Sequence, residues 1–154
     1  MICNPDKISG LSGKFRKKRK KIVFTNGCFD IIHPGHIHLL SRARVLGDVL
    51  VVGLNSTASV AALKAGRPVN GFTSRAKVLD ALRFVDVVCG FGGRTPIKLI
   101  KKVKPDVLVK GGDWKKEDVV GGAFVKSYGG EVKIIPYKSG FSTTKILKKV
   151  KSGG

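Results

Sequence analysis

Two histidines separated by a Pro-Gly pair are the residues of this chain best suited to phosphate chemistry. His33 and His36 follow an apolar run, 22–28, and begin a segment with helical periodicity. A strand-to-helix junction attracts anions, because free backbone N–H groups and the positive end of the helix dipole meet there. Gly27 and Gly35 lack a Cβ, so a phosphate can approach the backbone closely. The pattern predicts that this turn binds a nucleoside triphosphate and transfers its nucleotidyl group.

Other interpretations of the histidines stay open at the level of sequence. They could ligate zinc, although no carboxylate or cysteine lies at a useful spacing from them. They could act as a general acid and base, or they could be structural. His38, the third histidine, points to another side of the helix and is interpreted as a bystander.

Three further groups of residues could take part in phosphate binding. Asp30 could close an Asx-type turn, orient a histidine or help to hold magnesium. Lys110 precedes a Gly-Gly turn and can meet a phosphate as a point charge. Segment 140–144 opens the last predicted helix, where hydroxyls and N–H groups form either a second anion cradle or an ordinary N-cap.

Short apolar runs alternate with helical patterns along the chain. The predicted strands are 22–28, 48–54, 86–89, 105–109 and 131–135. The predicted helices are 34–46, 55–63, 74–84 with Ser74 as N-cap, 95–102, 117–128 and 142–150. This order predicts an α/β fold, a single Rossmann-like doubly wound sheet of about five parallel strands with helices on both faces. Ligands of such sheets bind beyond the carboxyl ends of the strands, so the histidine turn, Asn55, Lys110 and Ser142 should converge.

Composition bounds the class of protein. The chain has 154 residues with 30 Lys and Arg against 10 Asp and Glu, a net charge of +20. We expect a loosely attached basic lead-in, 1–20, before one domain, 21–154. The basic segment 14–21 could be a nuclear-targeting signal, a nucleic-acid patch or a solvated stretch. Three cysteines without Cys-x-x-Cys spacing, no signal-peptide pattern and no membrane-length apolar run predict a cytoplasmic location.

Several segments taken together resemble the HxGH-type nucleotidyltransferases, and among these the heptose 1-phosphate adenylyltransferase family in its stand-alone form. The resemblance covers about 21–150. The segments that carry it are 24–30 (Phe-Thr-Asn-Gly-Cys-Phe-Asp), 33–36, 46–48, 52–56, 66–70, 105–113 (ending Val-Lys-Gly-Gly-Asp) and 142–144. The histidine motif alone specifies the superfamily, whereas 25–30 and 109–113 suggest the heptose branch.

The resemblance implies a reaction and a set of site residues. AMP passes from ATP to D-glycero-D-manno-heptose 1-phosphate, with Mg²⁺ bridging the phosphates, and gives ADP-heptose and pyrophosphate for lipopolysaccharide synthesis. The implied catalytic residues are His33, His36 and Lys110. The implied nucleotide-binding residues are Asn26, Gly27, Cys28, Phe29, Asp30, Gly35, Asn55, Arg75, Gly111, Asp113, Phe141, Ser142, Thr143 and Thr144. A homodimer is expected, with no protein ligands to the metal, no membrane and no nucleic-acid partner.

Alternatives to this acceptor and to this class of protein stay open. Relatives that load CTP onto glycerol 3-phosphate usually carry Arg-Thr-Glu-Gly-Ile-Ser before the last helix, and 137–142 reads Tyr-Lys-Ser-Gly-Phe-Ser instead. Ethanolamine phosphate, pantetheine phosphate and flavin mononucleotide are further candidate acceptors. A basic nucleic-acid-binding protein on the same fold is the alternative from another class. Departures from the heptose pattern at Thr57, 73–74 and 91–94 bear on the acceptor.

Overall fold

Six parallel strands form one sheet in a computed structural model that describes residues 1–112, 114–136 and 140–153. The strands are β1 (Ile2–Cys3), β2 (Ile22–Gly27), β3 (Val49–Asn55), β4 (Val87–Phe91), β5 (Val107–Gly111) and β6 (Glu131–Ile135). The helices are α1 (Ile8–Lys17), α2 (Pro34–Arg44), α3 (Thr57–Leu63), α4 (Phe72–Asp80), α5 (Ile97–Val103), α6 (Gly122–Lys126) and α7 (Thr143–Lys151), and a 3₁₀ turn spans Lys116–Asp118.

The strand order β1-β4-β3-β2-β5-β6 confirms the predicted doubly wound fold. The chain proceeds from β2 through β3 to β4 on one side, then crosses to β5 and β6 on the other side of β2. The direction of winding therefore reverses between β2 and β5. Ligands of such sheets bind in the crevice that this reversal opens at the carboxyl ends of the strands. The fold places both the histidine turn, which follows β2, and Lys110 of β5 beside that crevice.

Alternating side chains of the strands build two cores, one on each face of the sheet. Ile22 and Phe24 of β2 pack with Ile100 of α5 on one face. Val23 of β2 packs with Leu40 of α2 and other residues on the opposite face. All seven residues of β3 are buried, as expected for a central strand covered on both sides. The prediction of helices on both faces is confirmed.

The prediction that residues 1–20 are loosely attached is wrong. β1 pairs in parallel with β4, Ile2 lying opposite Val88 and Cys3 opposite Cys89. In α1, Ile8 is fully buried against the core. β1 could not be predicted from the sequence, because two residues are too few to show a periodicity. β1 is the sixth strand, beyond the five predicted.

Two helices differ from their predicted bounds for local reasons. Helix α4 begins at Phe72 with Gly71 as N-cap, rather than at Ser74, and the Thr57 hydroxyl accepts a hydrogen bond from the Phe72 N–H at 3.0 Å. The helix predicted over 117–128 is divided into the 3₁₀ turn and α6. Gly121 between them has a φ of +87°, a left-handed conformation that interrupts a helix. Within the described residues, no helix is long and apolar enough to cross a membrane.

Candidate active site

The two imidazoles of the histidine turn lie against each other. His33 is the N-cap residue of α2 in extended conformation, and its carbonyl accepts a hydrogen bond from the His36 N–H at 2.8 Å. This turn stacks the two rings with centroids 3.8 Å apart and planes 22° apart. Phe29, with a left-handed φ of +45°, sets its buried ring 5.1 Å from His36. The strand-to-helix turn thus presents two imidazoles as one unit.

Burial keeps both histidines neutral near pH 7. Desolvation, the neighbouring His33 and the positive charge of Lys64 together lower the pKa of His36 to about 4, against an opposing hydrogen bond with the Ile31 backbone. Desolvation also lowers the pKa of His33. The Nδ1 atoms of both rings are buried without a hydrogen-bond partner among the described residues. Buried polar atoms without partners are uncommon and often mark a functional site.

The beginning of α7 lies next to the histidine turn. A Cβ placed on Gly35 would stand 3.0 Å from the His33 ring and 3.6 Å from Cβ of Phe141, so only glycine fits easily between them. Ser142 caps α7 by accepting a hydrogen bond from the Lys145 N–H at 3.1 Å. Thr143 and Thr144 form the first turn of this helix. The N-termini of α2 and α7 therefore approach each other, as is required if 140–144 is a second anion cradle that faces the histidine turn.

Asp30 holds a neighbouring loop. Its side chain is fully buried and accepts hydrogen bonds from Arg67 Nε at 2.5 Å and from the Val69 and Asn70 N–H groups at 2.9 Å. Burial by itself raises the pKa of Asp30. The hydrogen bonds lower it by more than burial raises it, so the pKa lies below its usual value. Both carboxylate oxygens are engaged. These contacts are none of the three roles considered for Asp30, because the carboxylate binds the distant loop 67–70 rather than a local Asx-type turn or a histidine.

Arg75 binds the same loop and the end of β2. Its Nη1 donates to the Cys28 carbonyl at 2.7 Å, and its Nε donates to the Asn70 carbonyl at 2.8 Å. The residue is 1% exposed, and its Nη2 atom is buried without a hydrogen-bond partner among the described residues. Arg75 thus connects helix α4 to the turn at the end of β2.

A cavity of about 380 Å³ opens at the carboxyl ends of four strands. Five of the predicted site residues line it: Asn26, Gly27, Cys28, Asn55 and Lys110. The Asn55 amide donates to Ser59 Oγ at 2.9 Å, which fixes its orientation at the cavity wall. Burial lowers the pKa of Lys110, whose ammonium lies 5.5 Å from the centre of the Trp114 ring.

The predicted residues therefore form two adjoining groups, and two further residues hold the histidine turn in place. The first group is the histidine turn with 141–144, and the second is the cavity beside it. Asp30 and Arg75 support the turn, and Gly111 packs against Leu39 of α2, where a Cβ would lie 3.1 Å from its side chain. Asp113 and the segment 137–139 lie outside the described residues.

Sequence reasoning did not place Lys64, Arg94 or Thr95 in the site, although all three line the cavity. Lys64 directly follows α3, and Arg94 lies in the loop between β4 and α5. The available signal was topological for Arg94, since its loop leaves the carboxyl end of β4, whereas Lys64 lies beyond α3. Lone basic residues among thirty gave no reason to select these two.

A doubly wound sheet with paired histidines at its switch point defines a nucleotide-binding α/β transferase. The cytidylyltransferase-like family model matches residues 24–149, and the chain belongs to this family. The prediction of a nucleotidyltransferase is thereby confirmed, and so is the resemblance to the HxGH type.

Two curated relatives carry the same name. The bifunctional protein HldE of Campylobacter concisus is 56% identical over 137 residues, which are 88% of this chain and 28% of the relative. The bifunctional protein HldE of Geotalea uraniireducens is 48% identical over 153 residues, 99% of this chain and 31% of the relative. The chain spans less than a third of the length of these relatives.

Solved structures agree on the fold. The lipopolysaccharide core biosynthesis protein from Thermoplasma volcanium is 31% identical with a TM-score of 0.64, and the match covers 77% of this chain and 97% of that one. A pantoate-beta-alanine ligase from Francisella tularensis has a TM-score of 0.62 at 18% identity, covering 98% of this chain and 77% of that one. The second likeness concerns the fold alone.

Proposed function

We propose that this chain transfers AMP from ATP to D-glycero-D-manno-heptose 1-phosphate and releases ADP-heptose and pyrophosphate. The observation that carries the proposal is the stacked His33–His36 pair at the start of α2, next to the start of α7. Two helix N-termini and two imidazoles suit the binding of a triphosphate. The identity of about 50% to proteins named HldE supports the heptose branch.

The proposed step is an in-line displacement at the α-phosphorus. An oxygen of the acceptor phosphate forms the new P–O bond while the bond to the β-phosphate bridging oxygen breaks, and pyrophosphate leaves with the electron pair. A phosphate monoester is ionised near pH 7, so the site needs no strong general base. The chain contributes by positioning the two substrates and by placing hydrogen-bond donors where negative charge develops.

Each predicted catalytic residue has a role in this step. His33 and His36, neutral before the substrate binds, donate to phosphate oxygens as charge accumulates on the phosphorus centre. Lys110 supplies a fixed positive charge from the wall of the cavity. Ser142 to Thr144 and the first N–H groups of α7 hold phosphate oxygens from the other side.

Magnesium enters this proposal as part of the MgATP substrate, where it neutralises phosphate charge. Asp30, the carboxylate nearest in sequence to the histidine turn, has both oxygens engaged by the loop that it closes. Among the described residues no group of three His, Cys, Asp or Glu side chains is placed to hold a metal ion. We therefore assign the magnesium ion to the phosphates of ATP rather than to protein side chains.

Pyrophosphate release tests the reaction. The wild-type chain is given MgATP with heptose 1-phosphate, and CTP with glycerol 3-phosphate as the competing pair. Release with the first pair alone supports the proposal, and release with the second pair alone contradicts it. His36→Ala should lower turnover by about a hundredfold or more while the melting temperature changes little, because one transition-state donor is lost. His38→Ala, on the same helix outside the turn, is the matched control.

The proposal extends to the setting of the enzyme. We place it in the cytoplasm as a homodimer with no nucleic-acid partner. The family resemblance is the support for the dimer, and sedimentation equilibrium of the purified chain tests it. A monomer at micromolar concentration would contradict the dimer and leave the proposed reaction unaffected.

A further inference from the structure

A second cavity, of about 440 Å³, opens at the amino ends of the strands, at the end of the sheet opposite the histidine turn. The end of α1 and the segment that leads to β2 contribute four basic residues to its lining, Arg16, Arg19, Lys20 and Lys21. Asp106, before β5, and Glu131, in β6, are the two acidic residues. Its volume lies in the usual range of ligand pockets, roughly 300–1,000 Å³. The excess of positive charge in the lining favours an anionic ligand.

Three of the four basic residues are available to an anion. Arg19 forms no ion pair or side-chain hydrogen bond with another described residue. The Lys20 ammonium lies 3.8 Å from the Asp48 carboxylate, and the Lys21 ammonium lies 3.9 Å from that of Glu131. Both pairs are exposed and long, so each contributes little to stability. A phosphate group that carries two charges is a stronger partner for either lysine.

Two basic residues beside the cavity have a backbone conformation that side chains rarely adopt. Arg19 follows the end of α1 with a φ of +54°, and Lys104 caps the end of α5 with a φ of +50°. Glycine is the usual residue at such positions, because a Cβ costs free energy there. Among the described residues, the only other non-glycine with a positive φ is Phe29, which lies against His36 in the candidate active site. Residues held in this conformation cluster at functional sites, and Arg19 and Lys104 both belong to this region.

Hydrogen bonds to backbone carbonyls fix the wall of the cavity. Arg16 Nη1 donates to the Val103 carbonyl at 2.9 Å, which connects the end of α1 to the end of α5. The Tyr128 hydroxyl donates to the Pro105 carbonyl at 2.8 Å, and the Lys104 ammonium lies 5.0 Å from the centre of the Tyr128 ring. These contacts keep the ends of both helices, with their left-handed basic residues, at the cavity.

The two acidic residues have partners within the chain. Asp106 accepts a hydrogen bond from the Ile22 N–H at 2.7 Å, and the Glu131 carboxylate lies 2.8 Å from the Lys133 ammonium. A small anion beside Arg19 can avoid these carboxylates, whereas a nucleic-acid strand that spreads over the whole face would meet them. The lining therefore favours a compact anion with concentrated charge over a long one with distributed charge.

We infer that the second cavity binds a compact anion with two or more phosphate charges, with Arg19 as its principal contact and Lys20 and Lys21 beside it. A guanidinium offers parallel N–H donors that match phosphate oxygens, and the two ammonium groups add compact charges. The site lies at the other end of the sheet from the nucleotidyl transfer site. The inference goes beyond the proposed function and does not depend on it.

Inorganic pyrophosphate is the probe, and amide chemical shifts of the full chain show where it binds. The protein is labelled with ¹⁵N, and pyrophosphate is titrated while the amides of Lys20, Gly129 and Gly130 are followed. We expect these amides to shift with a Kd of their own, separate from that of the histidine turn. Inorganic phosphate should bind the same amides about tenfold more weakly. No shift of these amides at about 10 mM pyrophosphate would overturn the inference. Tighter binding there by a single-stranded DNA oligonucleotide would overturn the preference for a compact anion.

Two variants with the same change of charge isolate Arg19 from the general field of the protein. Arg19→Glu should weaken pyrophosphate binding at these amides about tenfold or more, because the main donor becomes a repelling charge. Lys77→Glu is the control, since Lys77 is exposed on α4, which packs on the other face of the sheet from α1. It should change this Kd by less than about twofold. Equal losses in the two variants would overturn the inference.

A glycine variant separates binding from a merely structural role of Arg19. Arg19→Gly removes the side chain and suits the left-handed backbone, so the melting temperature should not fall below that of the wild type. Its pyrophosphate affinity at Lys20, Gly129 and Gly130 should nevertheless fall as in Arg19→Glu. Wild-type affinity in Arg19→Gly would overturn the inference.

Turnover distinguishes this inference from the proposed function. Pyrophosphate release from MgATP and heptose 1-phosphate should stay within about twofold of wild type in Arg19→Glu, because the screened distance to the histidine turn is long. An inactive wild-type chain that still shows the Arg19-dependent shifts would reject the proposed reaction and keep the anion site. An active chain without these shifts would reject the anion site alone.

Discussion

The histidine pair shows how a short segment of sequence can set the chemistry of a site. Pro34 fixes the first turn of α2 and Gly35 leaves space for the His33 ring, so the two imidazoles stack. Burial lowers the pKa of both, so they are uncharged near pH 7. The residue types and their spacing were visible in the sequence. The stacking was not, because it depends on the ring of Phe29 and on the approach of 141 from a distant segment.

The low pKa of His36 has a measurable effect on stability. Its pKa falls from 6.5 to about 4 on folding, so below pH 6.5 the unfolded chain binds a proton that the folded chain does not. The folded state therefore loses stability as the pH falls from 6.5 toward 4. Between pH 7 and pH 5 this loss amounts to about 2 kcal/mol.

Urea unfolding at the two pH values checks the prediction. The wild-type free energy of unfolding should fall more between pH 7 and pH 5 than that of His36→Asn, and the difference should be about 2 kcal/mol. Titrating groups remote from the histidine turn are common to both proteins and cancel in the comparison, whereas His33, which contacts His36, contributes to the measured difference. Parallel pH profiles for the two proteins would show that His36 titrates normally.

Asp30 gives a second prediction at the scale of a residue. It is a buried carboxylate that pairs with the nearly buried Arg67 and with two N–H groups. Removing one member of a buried pair leaves the other uncompensated, so Asp30→Ala should lower the free energy of unfolding by about 3–5 kcal/mol. Asp6→Ala breaks the exposed pair with Lys102 and should cost less than about 1 kcal/mol. Similar losses in chemical denaturation would contradict the role assigned to Asp30.

At the scale of elements, the central strand β3, the edge strand β6 and the last helix were predictable from local patterns, whereas β1 and the start of α4 were not. β3 shows an uninterrupted apolar run, and Ser142 is a recognisable N-cap, so both elements lie within one residue of their predicted bounds. The start of α4 depends on the Thr57 hydroxyl, which is fifteen residues away from Phe72. The partner loop of Asp30 is similarly remote in sequence, at positions 67–70. Contacts of this range leave no local pattern.

The N-cap of α7, Ser142, is expected to affect the affinity for ATP. No residue of α7 is buried, so its first turn depends on the hydrogen bond from Lys145 N–H to Ser142 Oγ. Loss of such a cap costs about 1 kcal/mol, and Ser142→Ala should raise the KM for ATP about fivefold if that energy comes from the bound state. Ser152→Ala, at the other end of α7, should leave the KM unchanged. Steady-state pyrophosphate release at varied ATP measures both, and equal KM values would contradict a role of the cap.

At the scale of the whole molecule, charge is distributed over both ends of the sheet. The second cavity, of about 440 Å³, has four basic and two acidic residues in its lining. It is lined by Arg16, Arg19, Lys20, Lys21, Asp106, Tyr128, Gly129, Gly130 and Glu131. It lies at the amino ends of the strands, whereas the histidine turn lies at the carboxyl end of β2. Six residues of β2 separate the two ends by roughly 20 Å. At physiological salt this distance is more than twice the screening length of about 8 Å.

This separation predicts that the basic segment 14–21 and the nucleotidyl transfer site act independently. Neutralising Lys17, Lys18 and Lys20 together to Gln should change kcat/KM for ATP and for heptose 1-phosphate by less than about twofold at 0.15 M salt, because their field is screened at the active site. The same triple variant should weaken any salt-dependent retention on DNA or RNA, since phosphate contacts supply that affinity. A tenfold fall in kcat/KM for the triple variant would contradict this independence, because it would mean that substrate capture depends on the charge of the whole molecule. It would favour the alternative of a nucleic-acid-binding protein only if retention fell in parallel.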